Sequence, residues 1–120
     1  MNALFLGYDG CSTCKKAKAW LSQQGVAFET RPIRENPPTV QELRKWIPAS
    51  SLPVKKWLNT SGQSYRNLNL KETLPQLSEE ELLGLMAGDG MLVKRPVLVL
   101  ENRVLVGFRP QEWRQALDEA

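Results

Sequence analysis

Apolar runs and helix-like stretches alternate over the first part of the chain. Residues 3–7 form an apolar run of the length of a buried strand. Residues 12–24 contain neither proline nor glycine, and their apolar side chains recur on one helical face. Gly25 follows where a helix cap is expected. Residues 26–31 have the pattern of a second strand, which Pro32 ends. These elements predict a β-α-β unit with parallel strands.

Two capping boxes indicate helices in the middle of the chain. Thr39 is followed three residues later by Glu42, and Ser78 is followed in the same way by Glu81. Apolar residues recur at helical spacing after each box, so each box predicts an amphipathic helix. The first helix is expected to end before Pro48, because proline in a helix interior removes a hydrogen bond.

The remaining middle segment completes a helical block. A short helix is predicted from Pro53, whereas the polar residues 59–69 are predicted to form a loop. We therefore predict a helical insertion over residues 36–92. The insertion is expected to lie within a single domain that spans residues 1–120, a length that suits one compact core.

The last segment returns to strands. Residues 97–100 and 103–107 are apolar runs separated by Glu101-Asn102, which predicts a hairpin. Pro110 fits the first position of a final helix. The predicted order is β-α-β, helices, then β-β-α, which is the thioredoxin-like α/β arrangement enlarged by a helical insertion.

Composition narrows the chemistry. The 120 residues include two cysteines and no histidine, which excludes catalysis by an imidazole base. Two thiolates do not complete a tetrahedral zinc site, so zinc would require two further carboxylates or a second chain. We therefore expect no metal and no bound cofactor.

Charge and hydropathy exclude other classes. The net charge of +3 is too small to indicate nucleic-acid binding, and no DNA-reading motif is present, so we expect no direct nucleic-acid recognition. No apolar run approaches the roughly 18 residues of a membrane span, and the N-terminus lacks the pattern of a signal peptide. We expect a cytoplasmic protein with reduced thiols.

The two cysteines form a Cys-x-x-Cys motif at the predicted start of the first helix. Free backbone N–H groups at a helix N-terminus, together with the neighbouring Lys15, favour the thiolate form of Cys11. Cys14, one turn further on, can attack a mixed disulfide formed at Cys11. The pattern predicts a nucleophile and a resolving thiol, and the alternative is two reduced core cysteines beside a solvated lysine face.

A second group of residues surrounds the predicted hairpin. In a thioredoxin-like fold the proline that opens the third strand faces the reactive thiol and is usually cis, and Pro96 fits that position. Arg95 and Arg109 bracket the hairpin, so both are candidates to face the Cys11 loop and bind an oxyanion. The alternative for both arginines is ordinary surface solvation.

Four stretches, in order along nearly the whole chain, carry a family resemblance. They are residues 11–21, residues 35–39 with Glu42-Leu43, residues 92–96 and residues 106–110. The chain resembles the glutaredoxin-coupled arsenate reductase family, including its Spx/MgsR-type branch of redox-sensing transcription regulators. The resemblance implies a thioredoxin-like fold, a cis Pro96, a nucleophilic Cys11 and oxyanion binding by Arg95 and Arg109. It also implies glutathione, a glutaredoxin or a thioredoxin as the reductant.

Two positions differ from the arsenate reductases of this family. Asn59 stands where they carry a third functional arginine, and they typically lack a cysteine at the position of Cys14. We therefore predict a reductase that uses Cys11 and Cys14 on an oxyanion or a glutathione mixed disulfide, with arsenate itself disfavoured. Lys15 and the two arginines are its predicted substrate-binding residues.

The alternative prediction is a binding module. The resemblance to the Spx/MgsR-type regulators implies that the Cys11-Cys14 pair is a redox switch. The switch would control a surface that docks on RNA polymerase, at the C-terminal domain of its alpha subunit. The inserted helices around residues 45–56 are the candidate contact.

Overall fold

A four-stranded mixed sheet forms the centre of the structure, a computed structural model that describes residues 3–119. Its strands lie in the order β2-β1-β3-β4. Their bounds are β1 (Ala3–Gly7), β2 (Phe28–Pro32), β3 (Val97–Val99) and β4 (Val104–Val106). Strand β1 pairs with β2 in parallel and with β3 antiparallel, and β3 and β4 form an antiparallel hairpin. The predicted β-α-β unit and the predicted hairpin are both confirmed.

Six α-helices accompany the sheet in the described part of the chain. They are α1 (Ser12–Gln23), α2 (Val40–Ser50), α3 (Gln63–Asn67), α4 (Leu70–Thr73), α5 (Glu79–Gly88) and α6 (Pro110–Glu119). Helices α2 to α5 and three 3₁₀ turns lie between β2 and β3, and the turns span Val54–Trp57, Leu74–Gln76 and Gly90–Leu92. The order and topology are those of a thioredoxin-like fold with helices inserted before its third strand. None of the described helices is long and apolar enough to cross a membrane.

The sheet separates two hydrophobic cores. Successive residues of a strand point to opposite faces, so Phe5 packs with α1 and α6 while Leu6 packs with the inserted helices. In β3, Leu98 lies in the core that contains Phe5, and Val97 lies in the core that contains Leu6. Both faces of the sheet are therefore covered by helices.

Both predicted capping boxes are formed. The Thr39 hydroxyl accepts from the backbone N–H of Glu42 at 3.0 Å, and the Glu42 carboxylate accepts from the N–H of Thr39 at 2.9 Å. Ser78 and Glu81 make the same reciprocal pair at 3.1 and 2.9 Å. These contacts satisfy backbone donors that a helix start leaves free, so α2 and α5 begin where the sequence predicts.

The prediction that α2 ends before Pro48 is wrong. The helix continues to Ser50, whose hydroxyl donates to the carbonyl of Ile47 at 2.6 Å. The same hydroxyl accepts from the indole N–H of Trp57 at 3.0 Å. The contact between Ser50 and Trp57 therefore stabilises the helix beyond Pro48. The preference of proline for helix ends concerns only the local backbone, so it does not predict this contact.

The prediction of a loop over residues 59–69 is wrong in part, because α3 lies inside this range. Helix α3 has no buried residue, so it carries no apolar periodicity to find. Polar side chains support it instead: the Gln63 amide donates to Asn67 at 2.7 Å, and Arg66 donates to Gln63 at 3.0 Å.

Arg31, in β2, ties the insertion to the sheet. Its guanidinium donates to both carboxylate oxygens of Glu42 at 2.8 Å and to the carbonyl of Pro37 at 2.7 Å. Hydrogen bonding from Arg31 is the main cause that holds the pKa of Glu42 below its usual range. The arginine thus joins β2, the following loop and the first turn of α2.

Gly90 offers a test of how the insertion packs against the sheet. A Cβ at this position would overlap the backbone carbonyl of Ile33, which cannot yield as a flexible side chain can. We expect Gly90→Ala to lower the free energy of unfolding by about 1–3 kcal/mol in urea denaturation. Gly84→Ala is the matched control in exposed helix, because its Cβ would meet nothing within 4 Å and should stabilise by about 0.5–1 kcal/mol. Unchanged stability of Gly90→Ala would contradict this packing.

Candidate functional site

Cys11 is the N-cap residue of α1. Its sulfur accepts a hydrogen bond from the backbone N–H of Cys14 at 3.1 Å, and its own N–H donates to the carbonyl of Tyr8 at 3.1 Å. An acceptor at this position lies in the positive field of the helix N-terminus, which favours negative charge. The predicted position of Cys11 at a helix start is confirmed.

Cys14 lies beneath Cys11 and against the end of β1. It is 1% exposed, and it belongs to the core that α1 and α6 share. Gly7 provides the space: a Cβ there would lie 3.0 Å from the Cys14 sulfur and 2.8 Å from the ring of Phe5. Gly7 is a site residue that the sequence predictions missed, although it directly follows the apolar run of β1.

The two thiols are chemically unequal. Both cysteines are unpaired by any disulfide, and Cys11 is half-buried. Burial, and then a hydrogen bond to the Cys11 sulfur, raise the pKa of the Cys14 thiol to about 12. Cys14 therefore keeps its proton near neutral pH. Within residues 3–119, no three His, Cys, Asp or Glu side chains are grouped so that they could hold a metal ion.

A groove of about 560 Å³ lies beside Cys14, between the end of β1, the first turns of α1 and the end of β2. We call it the Cys14 groove. Its charged lining residues are Asp9, Lys15, Lys18, Arg31, Arg34 and Glu35, so cations outnumber anions by four to two. Lys15, a predicted substrate-binding residue, therefore lines a cavity that Cys14 also lines.

A second cavity of about 390 Å³ opens between the end of β1 and the insertion. We call it the Arg95 cavity. Its lining residues are Tyr8, Arg34, Asn59, Gly62, Gln63, Ser64, Met91 and Arg95. The lining contains two guanidinium groups and no carboxylate. Tyr8 and Arg34 line both cavities, so the two cavities meet at these side chains.

Arg95 is held on the wall of its cavity. Its guanidinium carbon lies 4.8 Å from the centre of the Tyr8 ring, and one of its amino groups donates to the carbonyl of Met91 at 3.2 Å. The Nε atom is buried and has no hydrogen-bond partner among the described residues. The peptide bond that joins Arg95 to the buried Pro96 is cis.

Asn59 is positioned by backbone contacts, and its side-chain amide donates to the carbonyl of Met91 at 3.4 Å. Its N–H donates to the carbonyl of Leu92 at 2.8 Å, and the N–H of Lys94 donates to the carbonyl of Trp57 at 2.8 Å. An antiparallel bridge between Leu58 and Val93 lies between these two bonds. This short ladder, which we call the 57–94 ladder, sets Asn59 beside the segment that leads to Arg95.

Arg109 lies in an exposed ion pair at the start of α6. Its side chain is 69% exposed and pairs with Glu112 at 3.4 Å. It lines neither the Cys14 groove nor the Arg95 cavity. That Arg95 and Arg109 face the Cys11 loop together stays a prediction; in this structure Arg109 pairs with a carboxylate in the first turn of α6.

Arg34 is the cation that the sequence predictions missed. It follows β2, and Tyr8 follows β1. Because β1 and β2 are parallel, the residues after both strands meet at one edge of the sheet. A basic residue just after the second strand was the signal that could have identified it.

The fold and the cysteine pair together define a thioredoxin-like thiol protein. The Cys-x-x-Cys motif begins the helix after the first strand, and a cis proline precedes the third strand. The sequence model of the ArsC family matches residues 6–116. The chain therefore belongs to the ArsC family, which confirms the predicted resemblance.

The similarity of this chain to known proteins covers nearly all of its residues. The crystal structure of an ArsC family related protein from Bacteroides fragilis has a TM-score of 0.92 and 52% identity, covering 96% of this chain and 97% of that one. YusI of Bacillus subtilis is 44% identical over 96% of this chain and 98% of its own length. The regulatory protein MgsR of the same organism is 30% identical over 90% of this chain and 84% of its own length.

The unequal burial of the thiols predicts selective alkylation. At pH 8 to 9, iodoacetamide should modify Cys11 in the native protein and leave Cys14 unmodified. The reason is that a thiol reacts only as a thiolate, and only where the reagent can reach it. Mass spectrometry of the intact protein and its peptides measures this. The Cys11→Ser variant is the control, and it should remain unmodified until it is unfolded in guanidinium. Equal labelling of both cysteines in the folded protein would contradict the assignment.

Proposed function

We propose that this chain is a thiol oxidoreductase in which Cys11 is the attacking thiolate. The observation that carries the proposal is the arrangement of the sulfur atoms. The Cys11 sulfur accepts a hydrogen bond from the backbone N–H of Cys14 at the start of α1, while the Cys14 thiol beneath it keeps its proton. One sulfur is thus placed to react and the other to support it.

The first step is thiol–disulfide exchange. The Cys11 thiolate attacks one sulfur of a substrate disulfide, a bond forms between these sulfurs, and the other substrate sulfur leaves as a thiolate with the bonding electrons. Cys14 then loses its proton to solvent and attacks the Cys11 sulfur. This displaces the second substrate thiolate and leaves a Cys11-Cys14 disulfide. Glutathione, a glutaredoxin or a thioredoxin supplies the two electrons that restore both thiols.

Glutathione mixed disulfides suit this site better than arsenate does. Asn59 lines the Arg95 cavity at the position where the resemblance implies a third arginine, and each charge-assisted contact contributes about 1.5–3 kcal/mol. Lys15 lines the Cys14 groove and Arg95 lines the Arg95 cavity, and both are proposed to hold the anionic part of the substrate. The cycle needs no tightly bound cofactor, and it suits a reducing compartment such as the cytoplasm.

Substitution of each cysteine tests the cycle. Cys11→Ser should reduce glutathione- or thioredoxin-dependent turnover of a glutathionylated peptide by at least about a hundredfold, because the nucleophile is lost. Cys14→Ser should accumulate a mixed disulfide at Cys11, visible as an added mass that dithiothreitol removes. Ser22→Ala, on the exposed surface of the same helix, is the control and should match the parent. Full activity of Cys11→Ser would reject the proposal.

A second candidate function is that of a redox-controlled regulator. The specific observation is the 30% identity with a protein named as regulatory, together with the exposed end of α2 and the turn after it. There Leu52 is 37% exposed, and Lys55 and Lys56 are exposed. We propose that residues 45–56 contact the C-terminal domain of the RNA polymerase alpha subunit, and that oxidation of the cysteine pair changes this contact.

Binding to the purified alpha-subunit domain tests this second function. We expect calorimetry to detect a complex whose affinity differs between the reduced and oxidised chain, and Leu52→Ala to weaken it by about tenfold or more, because an exposed apolar anchor is lost. Leu68→Ala is the matched control, since Leu68 is 42% exposed but lies outside residues 45–56. Absence of binding in both redox states would exclude this function.

A further inference from the structure

We infer that Arg34 forms, with Arg95, the guanidinium pair that holds the carboxylate of an anionic disulfide substrate while a sulfur of that substrate reaches Cys11. The inference rests on the proposed oxidoreductase function and names its substrate class. It also assigns the second anion-holding position to Arg34 rather than to Arg109.

The backbone brings Arg34 to the site. The N–H of the preceding Ile33 donates to the carbonyl of Gly7 at 2.9 Å, and the Ile33 side chain is fully buried. The residue after Ile33 is thereby placed next to Tyr8, whose carbonyl accepts from the N–H of Cys11 at 3.1 Å. Arg34 consequently lies on the side of the cysteine loop, and it lines both cavities there.

The guanidinium of Arg34 is free to bind a ligand. Of the arginines in residues 3–119, it is the one without a hydrogen bond or ion pair to another described residue. Arg109, by contrast, already has the carboxylate of Glu112. An unpaired guanidinium at a cavity wall retains its full capacity for paired hydrogen bonds to a carboxylate.

The Arg95 cavity matches an anion and not a cation. Its lining contains Arg34 and Arg95 and no acidic side chain, and the amide of Asn59 and the hydroxyl of Ser64 add further donors. Its volume of about 390 Å³ is within the range of small-molecule sites. Cationic walls also offset the repulsion between the Cys11 thiolate and an approaching anionic disulfide.

The reaction of Cys11 with two disulfides of different charge tests the inference. The Cys11 thiolate attacks 5,5′-dithiobis(2-nitrobenzoate), which carries two carboxylates, forms a mixed disulfide and releases one coloured thiolate. The neutral 4,4′-dithiodipyridine reacts in the same way without a carboxylate. Stopped-flow absorbance measures the second-order rate constant of each reagent with the intact reduced chain, and their ratio isolates the contribution of substrate charge.

Arg34→Ala should lower the rate with the anionic reagent about tenfold and leave the neutral reagent unaffected, because one charge-assisted contact is lost. Arg34→Lys should retain part of the rate, since it keeps the charge without the forked donor. Arg44→Ala is the matched control: it removes the same charge from an exposed arginine paired with Glu80, and the ratio should not change.

Two results would overturn the inference: an unchanged ratio in Arg34→Ala, or a larger decrease in Arg109→Ala than in Arg34→Ala. Failure of the proposed function itself looks different. In that case Cys11 of the parent protein reacts with the neutral disulfide no faster than an unstructured thiol of the same chain unfolded in urea.

Discussion

Burial of both faces of the central strand is the constraint on which the rest of the structure depends. Strand β1 lies between two others, and its alternate side chains enter separate cores, so each face of the sheet requires its own cover. Helices α1 and α6 cover one face and the inserted helices cover the other. The cysteine loop leaves β1 at the edge where these two covers meet. Residues from both covers therefore lie near this edge: Cys14 belongs to one core, while Asn59 and Ser64 come from the insertion.

The same constraint makes the cysteines unequal. Cys14 occupies space that exists because Gly7, at the end of β1, has no side chain. Its burial keeps it protonated, whereas Cys11, three residues earlier, caps the helix at the edge of the core. The three-residue spacing of the two cysteines thus places one thiol at the edge of the core and the other inside it. The proposed dithiol cycle uses this difference, because the Cys11 thiolate attacks first and the Cys14 thiol reacts only after the mixed disulfide has formed.

Local signals in the sequence predicted the fold well, and contacts between distant residues account for what they missed. The capping boxes at Thr39 and Ser78 act within one helical turn, so their residues suffice to place α2 and α5. The extra turn beyond Pro48 depends on Trp57, and α3 depends on polar pairs without periodicity, so neither has a local apolar signal. In the site, the motif located the cysteines, but Arg34 joins Tyr8 only through the parallel pairing of two strands.

The 57–94 ladder has a consequence for how this family can diversify. It fixes the backbone of position 59 on the wall of the Arg95 cavity, and the Asn59 side chain adds a longer hydrogen bond to the carbonyl of Met91 at 3.4 Å. An arginine at this position would give the adjoining cavity a further positive charge, which asparagine does not. A single substitution at position 59 would therefore change the charge of this cavity while the backbone bonds of the ladder stay formed. In this region the backbone fixes where residue 59 lies, and the side chain of residue 59 sets the charge that it brings to the cavity.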